Sequence, residues 1–254
     1  MPRREIAIAP FLESCPEITT LGIRASLCDY SPAERKLLAS ADRVYFPTPR
    51  FAKILEAAGK QTFPSCLTYR IRKSRLVQET LFQFSGCPHP RTRIYFGRRK
   101  ASISADFRFP FVAMGPGMQD GIFPVNDTKS LVELAEKYNP LIVREEVRYE
   151  RRLWLLFVNY ECIWIADGTP GVETIGRRTI GTLSDDPMLE PCIHETGILV
   201  RSFRLNDIAV EIGFSMTEGW GITSMAKPPV SWQSAHGAVS RYEYISSLIR
   251  AGKI

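Results

Sequence analysis

Histidine is scarce in this 254-residue sequence: His89, His194 and His236 are the only three. None sits beside a GxSxG-type nucleophile elbow, which disfavours catalysis by a serine or cysteine triad. The six cysteines (Cys15, Cys28, Cys66, Cys87, Cys162 and Cys192) form no CxxC pair and no regular spacing. Two CxH pairs, Cys87 with His89 and Cys192 with His194, lack the gap of about two to four residues usual between zinc ligands. The cysteines therefore read as reduced, mostly buried thiols. No apolar run approaches the ~20 residues that cross a bilayer. The opening MPRREIAIAPFLESCPEI has too short an apolar part for a secretory signal, so the expectation is a cytoplasmic protein with no membrane partner. Internal repeats and low-complexity tracts are also missing.

What is present is ordinary globular chemistry with a basic bias. Hydrophobic content is 44% and charged content 24%, which excludes disordered and fibrous classes. The formal net charge is +6, with cationic clusters at 70–75, 97–100, 148–152 and 176–178. Such clusters suit either a nucleic-acid surface or a pocket for an anionic small molecule or nucleotide. No zinc finger, helix-turn-helix spacing or aromatic RNA-binding motif accompanies them, so nucleic acid is the disfavoured partner. Homo-oligomerisation is left open.

Alternating strands and helices open the chain. Residues 4–9 and 41–49 read as buried strands. SPAERKLLASA is a helix with Ser31 as N-cap and Pro32 in its first turn, and PRFAKILEAAG is a helix closed by Gly59. A helix over 72–86 stops at Gly86 and leads into the strand TRIYF. FRFPFVAM is a strand running into GPGMQDG, a turn containing Gly115, Gly117 and Gly121. Thr128 is the expected N-cap of a helix over 128–138, and PLIVREEV is a strand. RLWLLFVNYECIWIA reads as a hairpin turning at Asn159-Tyr160. Residues 167–195 lack periodicity, and RLNDIAVEIG (204–213) is expected to be a helix closed by Gly213. FSMTEGWGITSMA reads as a hairpin turning near Glu218-Gly219, followed by a C-terminal helix in RYEYISSLIRAG.

This order of elements resembles the ATP-grasp superfamily, and several phrases are similar to its RimK-like branch over about residues 41–254. They are ADRVYFPTPRFAKILEAAGKQTFPS, RKSRLVQETLFQFSGCPHPRTRIY, FPFVAM with its glycines, PLIVREEV and RLWLLFVNYECIWIA. The resemblance implies an α/β (α+β) fold: a small N-terminal α/β lobe over 1–66, then two α+β subdomains over 67–140 and 141–254. It implies a nucleotide-binding protein of the ATP-dependent carboxylate–amine ligase class, with ATP and Mg as cofactors. By resemblance, Lys73 would approach the ATP phosphates. Gly115, Gly117 and Gly121 would form a phosphate-covering loop. Glu145 would accept from the adenine amino group, and the Val147 backbone would meet the ring edge.

The sequence departs from that pattern in three places. Met114 stands where a second phosphate lysine is expected. Leu153 and Leu155 fall where an Asp-x-Arg pattern belongs, unless Arg151 or Arg152 serves after a shift of register. Ser224 and Ala226 fall where magnesium carboxylates belong; Glu218 is the nearby acid, and Asp185 and Asp186 lie in the irregular stretch. No catalytic residue is assigned. The alternative is an inactive ATP-grasp pseudoenzyme that binds an anionic ligand or a protein partner.

Overall fold

A computed structural model describes residues 5–168, 177–178, 189–234 and 237–254. The first lobe comprises β1 (Glu5–Ala7), β2 (Ile18–Thr20), α1 (Pro32–Ser40), β3 (Arg43–Tyr45), α2 (Pro49–Ala57) and β4 (Gln61–Phe63). Its sheet runs in the order β2-β1-β3-β4 with all strands parallel. Local chemistry fixes both helices. Ser31 Oγ accepts from the Glu34 amide at 3.2 Å while Glu34 Oε2 accepts from the Ser31 amide at 2.7 Å, a reciprocal cap. Thr48 caps α2, and Gly59 takes the left-handed φ of +78° that ends it. Ile6, Ile8 and Val44 pack on one side of the sheet against Phe51 and Leu55 of α2.

The second sheet begins beyond α3 (Cys66–Ile71) and α4 (Arg75–Ser85). Ser74 caps α4 by accepting from the Val77 amide, and Gly86 ends it at φ +67°. Then come β5 (Thr92–Tyr95), α5 (Ile103–Asp106), β6 (Phe111–Met114), β7 (Ile122–Val125), α6 (Thr128–Lys137) and β8 (Leu141–Glu145). The antiparallel order is β5-β8-β6-β7, so β8 lies inside this sheet. The N-cap of α6 is Asp127, not Thr128. The Asp127 carboxylate accepts from the Ser130 amide at 2.8 Å, and Thr128 becomes the first helical residue.

The third sheet holds β9 (Arg151–Val158), β10 (Glu161–Asp167), β11 (Arg177–Arg178), β12 (Asp207–Ser215) and β13 (Gly219–Ala226), with α7 (Leu189–Ser202) packed on it. Its order is β11-β10-β9-β12-β13, antiparallel throughout. Asn159 and Tyr160 have φ of 48° and 69°, both positive as a tight two-residue hairpin requires. Two expectations fail here. Helix α7 begins inside the stretch read as irregular, with Leu189, Cys192, Thr196, Leu199 and Val200 buried at helical spacing. Most of residues 167–188, including Asp185 and Asp186, lies outside the described residues.

The second failure is 204–213, which forms strand β12 and not a helix. Ile208, Val210 and Ile212 alternate into the core. The sequence reads otherwise because Asn206-Asp207 and Gly213 imitate a helical start and stop. After a last hairpin of β14 (Ser231–Ser234) and β15 (Gly237–Ser240), α8 (Arg241–Arg250) inserts Ile245 and Ile249 among Phe46, Phe63 and Trp164. The C-terminal helix thus joins the first lobe to the third sheet. At this junction the wholly buried Asp207 accepts from Arg72 Nη2 at 2.7 Å, and Arg241 Nε lies 3.8 Å away. No described helix is long and apolar enough to cross a membrane.

Candidate functional site

A cleft of about 450 Å³ opens between the second and third sheets. Its floor follows from the two-residue period of β9. Leu153 and Leu155 point into the core, whereas Arg152 and Trp154 line the cleft. The expected charge positions are therefore apolar and buried, and the shift of one residue brings Arg152 in. Beside it stand Glu211 of β12 and Thr223 and Ser224 of β13, with Glu211 in register with both Trp154 and Ser224. Glu211 escapes a sequence reading that takes its strand for a helix. Its signal was the alternation Ile208, Val210, Ile212, which places Glu211 on the opposite face.

The roof is β6 and β8. Val112 and Met114 line the cleft while Phe111 and Ala113 enter the core behind them. Met114 thus faces the cleft with an uncharged side chain in the position where the resemblance implies a lysine. At the far end of β8, Glu145, Glu146 and Val147 line one mouth, and the Glu145 amide donates to the Arg91 carbonyl at 2.9 Å. Next comes Tyr149, whose ring lies under the Arg152 guanidinium at 5.4 Å. Burial pushes its hydroxyl pKa up to about 12.

The ring of Tyr149 also explains Gly213, since a Cβ there would come within 2.4 Å of it. Gly213→Ala is expected to displace the ring and cost about 1–3 kcal/mol, read as a lowered urea midpoint at unchanged slope.

The glycine turn is tied down from inside. Arg75, 5% exposed, donates through Nη1 to the carbonyls of Gly115 and Gly117 at 3.0 Å and of Asp120 at 3.2 Å. The Gly117 amide donates to Asp120 Oδ2 at 2.6 Å. The turn is also bridged to the start of α4, with the Leu76 amide on the Pro116 carbonyl and the Met118 amide on that of Lys73. Close approach dictates glycine at two positions: a Cβ would meet Asp120 Cβ at 2.5 Å from Gly115 and the Phe123 ring at 2.2 Å from Gly121.

Gly115, Gly117 and Gly121 do not line the cleft, and neither does Lys73, which is exposed. Arg75, two residues further on, lines it instead. The N-cap at Ser74 starts the helix there, so Arg75 belongs to the first turn and projects under the glycine turn.

Three arginines therefore meet in the cleft. Burial, and then the charge of Arg144, pull the Arg75 pKa below its ordinary value. Arg144 pairs through Nη2 with the wholly buried Glu79 and donates through Nη1 to the Thr223 carbonyl at 3.1 Å. Arg152 Nη1 lies 3.6 Å from Glu211 Oε1, and Glu211 also accepts from the Thr223 hydroxyl. The Nε atoms of Arg144 and Arg152 are buried without a partner. The Nε atoms of Arg72 and Arg241 in the buried junction are unpartnered in the same way, so these orphans are not particular to the cleft. Arg152, with its side chain 34% exposed, keeps its guanidinium open to the cleft, and an anionic ligand with an apolar part fits this combination of arginines and apolar roof. Among the described residues no group of three or more His, Cys, Asp or Glu could hold a metal ion. A phosphate-bridging magnesium takes one or two carboxylates, and Glu211, on the floor beside Thr223 and Ser224, is already engaged by Arg152 and the Thr223 hydroxyl.

No protein-family model matches the sequence. No curated protein is similar to it in sequence. Its structure is similar to several solved structures. One is the N5-carboxyaminoimidazole ribonucleotide synthetase PurK in an ADP complex, at TM-score 0.64 and 13% identity, covering 90% of this chain and 71% of that one. Another is a RimK-domain ATP-grasp protein from Sphaerobacter thermophilus, at TM-score 0.62 and 14% identity, covering 88% and 90%. A third is D-alanine–D-alanine ligase from Bacillus anthracis complexed with ATP, at TM-score 0.61 and 10% identity, covering 98% and 91%. The chain has the ATP-grasp fold.

Proposed function

We propose that this protein binds ATP in the cleft between its second and third sheets, and that it belongs to the ATP-dependent carboxylate–amine ligase class. The observation carrying the reading is one cleft that joins three features. Glu145 and Val147 line its mouth, Val112 and Met114 its apolar roof, and Arg75, Arg144 and Arg152 its cationic wall. A purine ring suits the first two, and phosphates need the charge-assisted donors of the third. Lys73 and the glycine turn then act by shaping the wall around Arg75, not by touching the ligand. Two of the solved structures with this fold carry ADP and ATP in their own complexes, which supports the same ligand here.

Residues on this chain would bind and orient the nucleotide. Trp154 and Tyr149 exclude water from the floor and the mouth, which strengthens every charge contact inside. A second reading, a pseudoenzyme that binds nucleotide without transferring its phosphoryl group, rests on one observation: Ser224 and Thr223 line the floor beside Glu211 where the resemblance implies magnesium carboxylates.

Thermal denaturation with and without ATP tests the nucleotide reading. At a ligand concentration 100-fold above the dissociation constant, binding adds ~2.7 kcal/mol and a clear rise in midpoint. No rise with ATP, in the presence or absence of magnesium, contradicts it. Release of ADP on mixing with candidate carboxylates and amines separates the ligase from the pseudoenzyme.

A further inference from the structure

We infer that the cleft holds the nucleotide's phosphates on the Arg152–Arg144 pair, without a divalent cation and without the glycine turn. This rests on the nucleotide reading and specifies how its phosphate end works.

Consider first what is already used. The Gly117 amide, the group a phosphate-gripping turn would offer, donates to the Asp120 carboxylate at 2.6 Å. The carbonyls of Gly115, Gly117 and Asp120 all accept from Arg75 Nη1, which fastens the turn from below. The first amides of α4 are spoken for as well: Leu76 donates to Pro116 and Val77 to Ser74 Oγ. A helix start and glycine turn that would normally attract an anion are thus filled by the chain itself.

What is left is on the sheets. Arg152 rises from the floor with its side chain 34% exposed although its Nε is buried and unpartnered, and Glu211 lies 3.6 Å from its Nη1, beyond hydrogen-bonding distance. Arg144 enters from the roof with one terminal nitrogen on Glu79 and the other on the Thr223 carbonyl, and its Nε is again buried without a partner. Guanidinium forks match phosphate oxygens in pairs, and in a partly dry cleft such contacts do the neutralising work usually left to a metal. A phosphate-bridging cation would take one or two carboxylates, and the one on the floor, Glu211, is already engaged by Arg152 and the Thr223 hydroxyl. An internal carboxylate, Glu211, then competes with the phosphates for Arg152.

That competition gives a test of opposite signs, by calorimetric titration of ATP into the full chain in EDTA and in magnesium. The inference expects dissociation constants within about threefold of each other in the two conditions. Arg152→Ala weakens ATP at least tenfold, the loss of a charged hydrogen bond, while leaving adenosine binding unchanged; an unfolded or distorted variant loses both. Glu211→Gln, which frees Arg152, tightens ATP in EDTA by up to about fivefold. Asp120→Ala, which frees the Gly117 amide, leaves affinity within about threefold.

Four results overturn the inference while leaving the nucleotide reading in place: binding that vanishes in EDTA, Glu211→Gln weakening MgATP as loss of a metal ligand would, an Arg152→Ala variant with unchanged affinity, or Asp120→Ala tightening ATP strongly. No ATP binding in either condition defeats the nucleotide reading itself.

Discussion

Asp207→Asn is expected to cost the fold about 3–5 kcal/mol, which is a large part of a domain's stability. Asp207 is 0% exposed, and it meets two guanidinium groups that are themselves nearly buried, Arg72 at 2.7 Å and Arg241 at 3.8 Å. Arg72 also donates to the Asp207 carbonyl, and Arg241 Nη1 to the Pro228 carbonyl at 2.8 Å. Asparagine keeps the size of the side chain and removes only its charge, leaving two cations in a dry junction. A partnerless buried charge costs far more than the net gain of the pair it came from. The position matters because three segments converge on it: the α3–α4 connection, the start of β12 and the start of α8. Urea denaturation reads the effect as a lowered midpoint, and a loss under about 1 kcal/mol contradicts this account of the junction.

Glu79→Gln is expected to cost a similar amount and, unlike Asp207→Asn, to reach the cleft. Glu79 on α4 is 0% exposed and pairs with Arg144, whose other arm holds the Thr223 carbonyl. One guanidinium therefore links α4, β8 and β13. Neutralising Glu79 leaves Arg144 charged and free to turn away from its place in the roof. The expected result is a loss of about 3–5 kcal/mol together with weaker ATP binding. The double substitution Glu79→Gln with Arg144→Met removes both charges, and its loss of stability should be smaller than the sum of the two single losses by at least about 1 kcal/mol. Strict additivity would mean that the pair is not coupled.

The legible parts of the fold were those written in local chemistry. Ser31, Gly59 and Gly86 mark helix ends because one side chain or one left-handed residue decides each of them. The hairpin at Asn159-Tyr160 was legible for the same reason. The phrases resembling the ATP-grasp fold led to the right architecture although identity to any of the three solved structures above is at most 14%. Such a likeness lives in the order of elements and not in residue identity.

The site was less legible because it depends on register. Arg152 and Leu153 are neighbours in sequence, yet the pleat sends one to the cleft and the other to the core. Arg75 and Lys73 differ by two residues, and the Ser74 cap decides which of them joins the helix. Glu211 was hidden by end signals that imitate a helix around a central strand. The role of Asp120 had no local signal, since it depends on the turn folding back over Arg75.

Hydrogen exchange with and without ATP tests the central claim most directly, because it reports where the ligand sits as well as whether it binds. Slowed exchange is expected in peptides spanning 144–154, from the cleft mouth through Arg152, and at 209–213 and 222–225 on the cleft floor. Amides of 115–121 should change little, since their turn is already fastened by Arg75 and Asp120. Protection confined to the first lobe, or to the glycine turn with none at 144–154, would contradict the account.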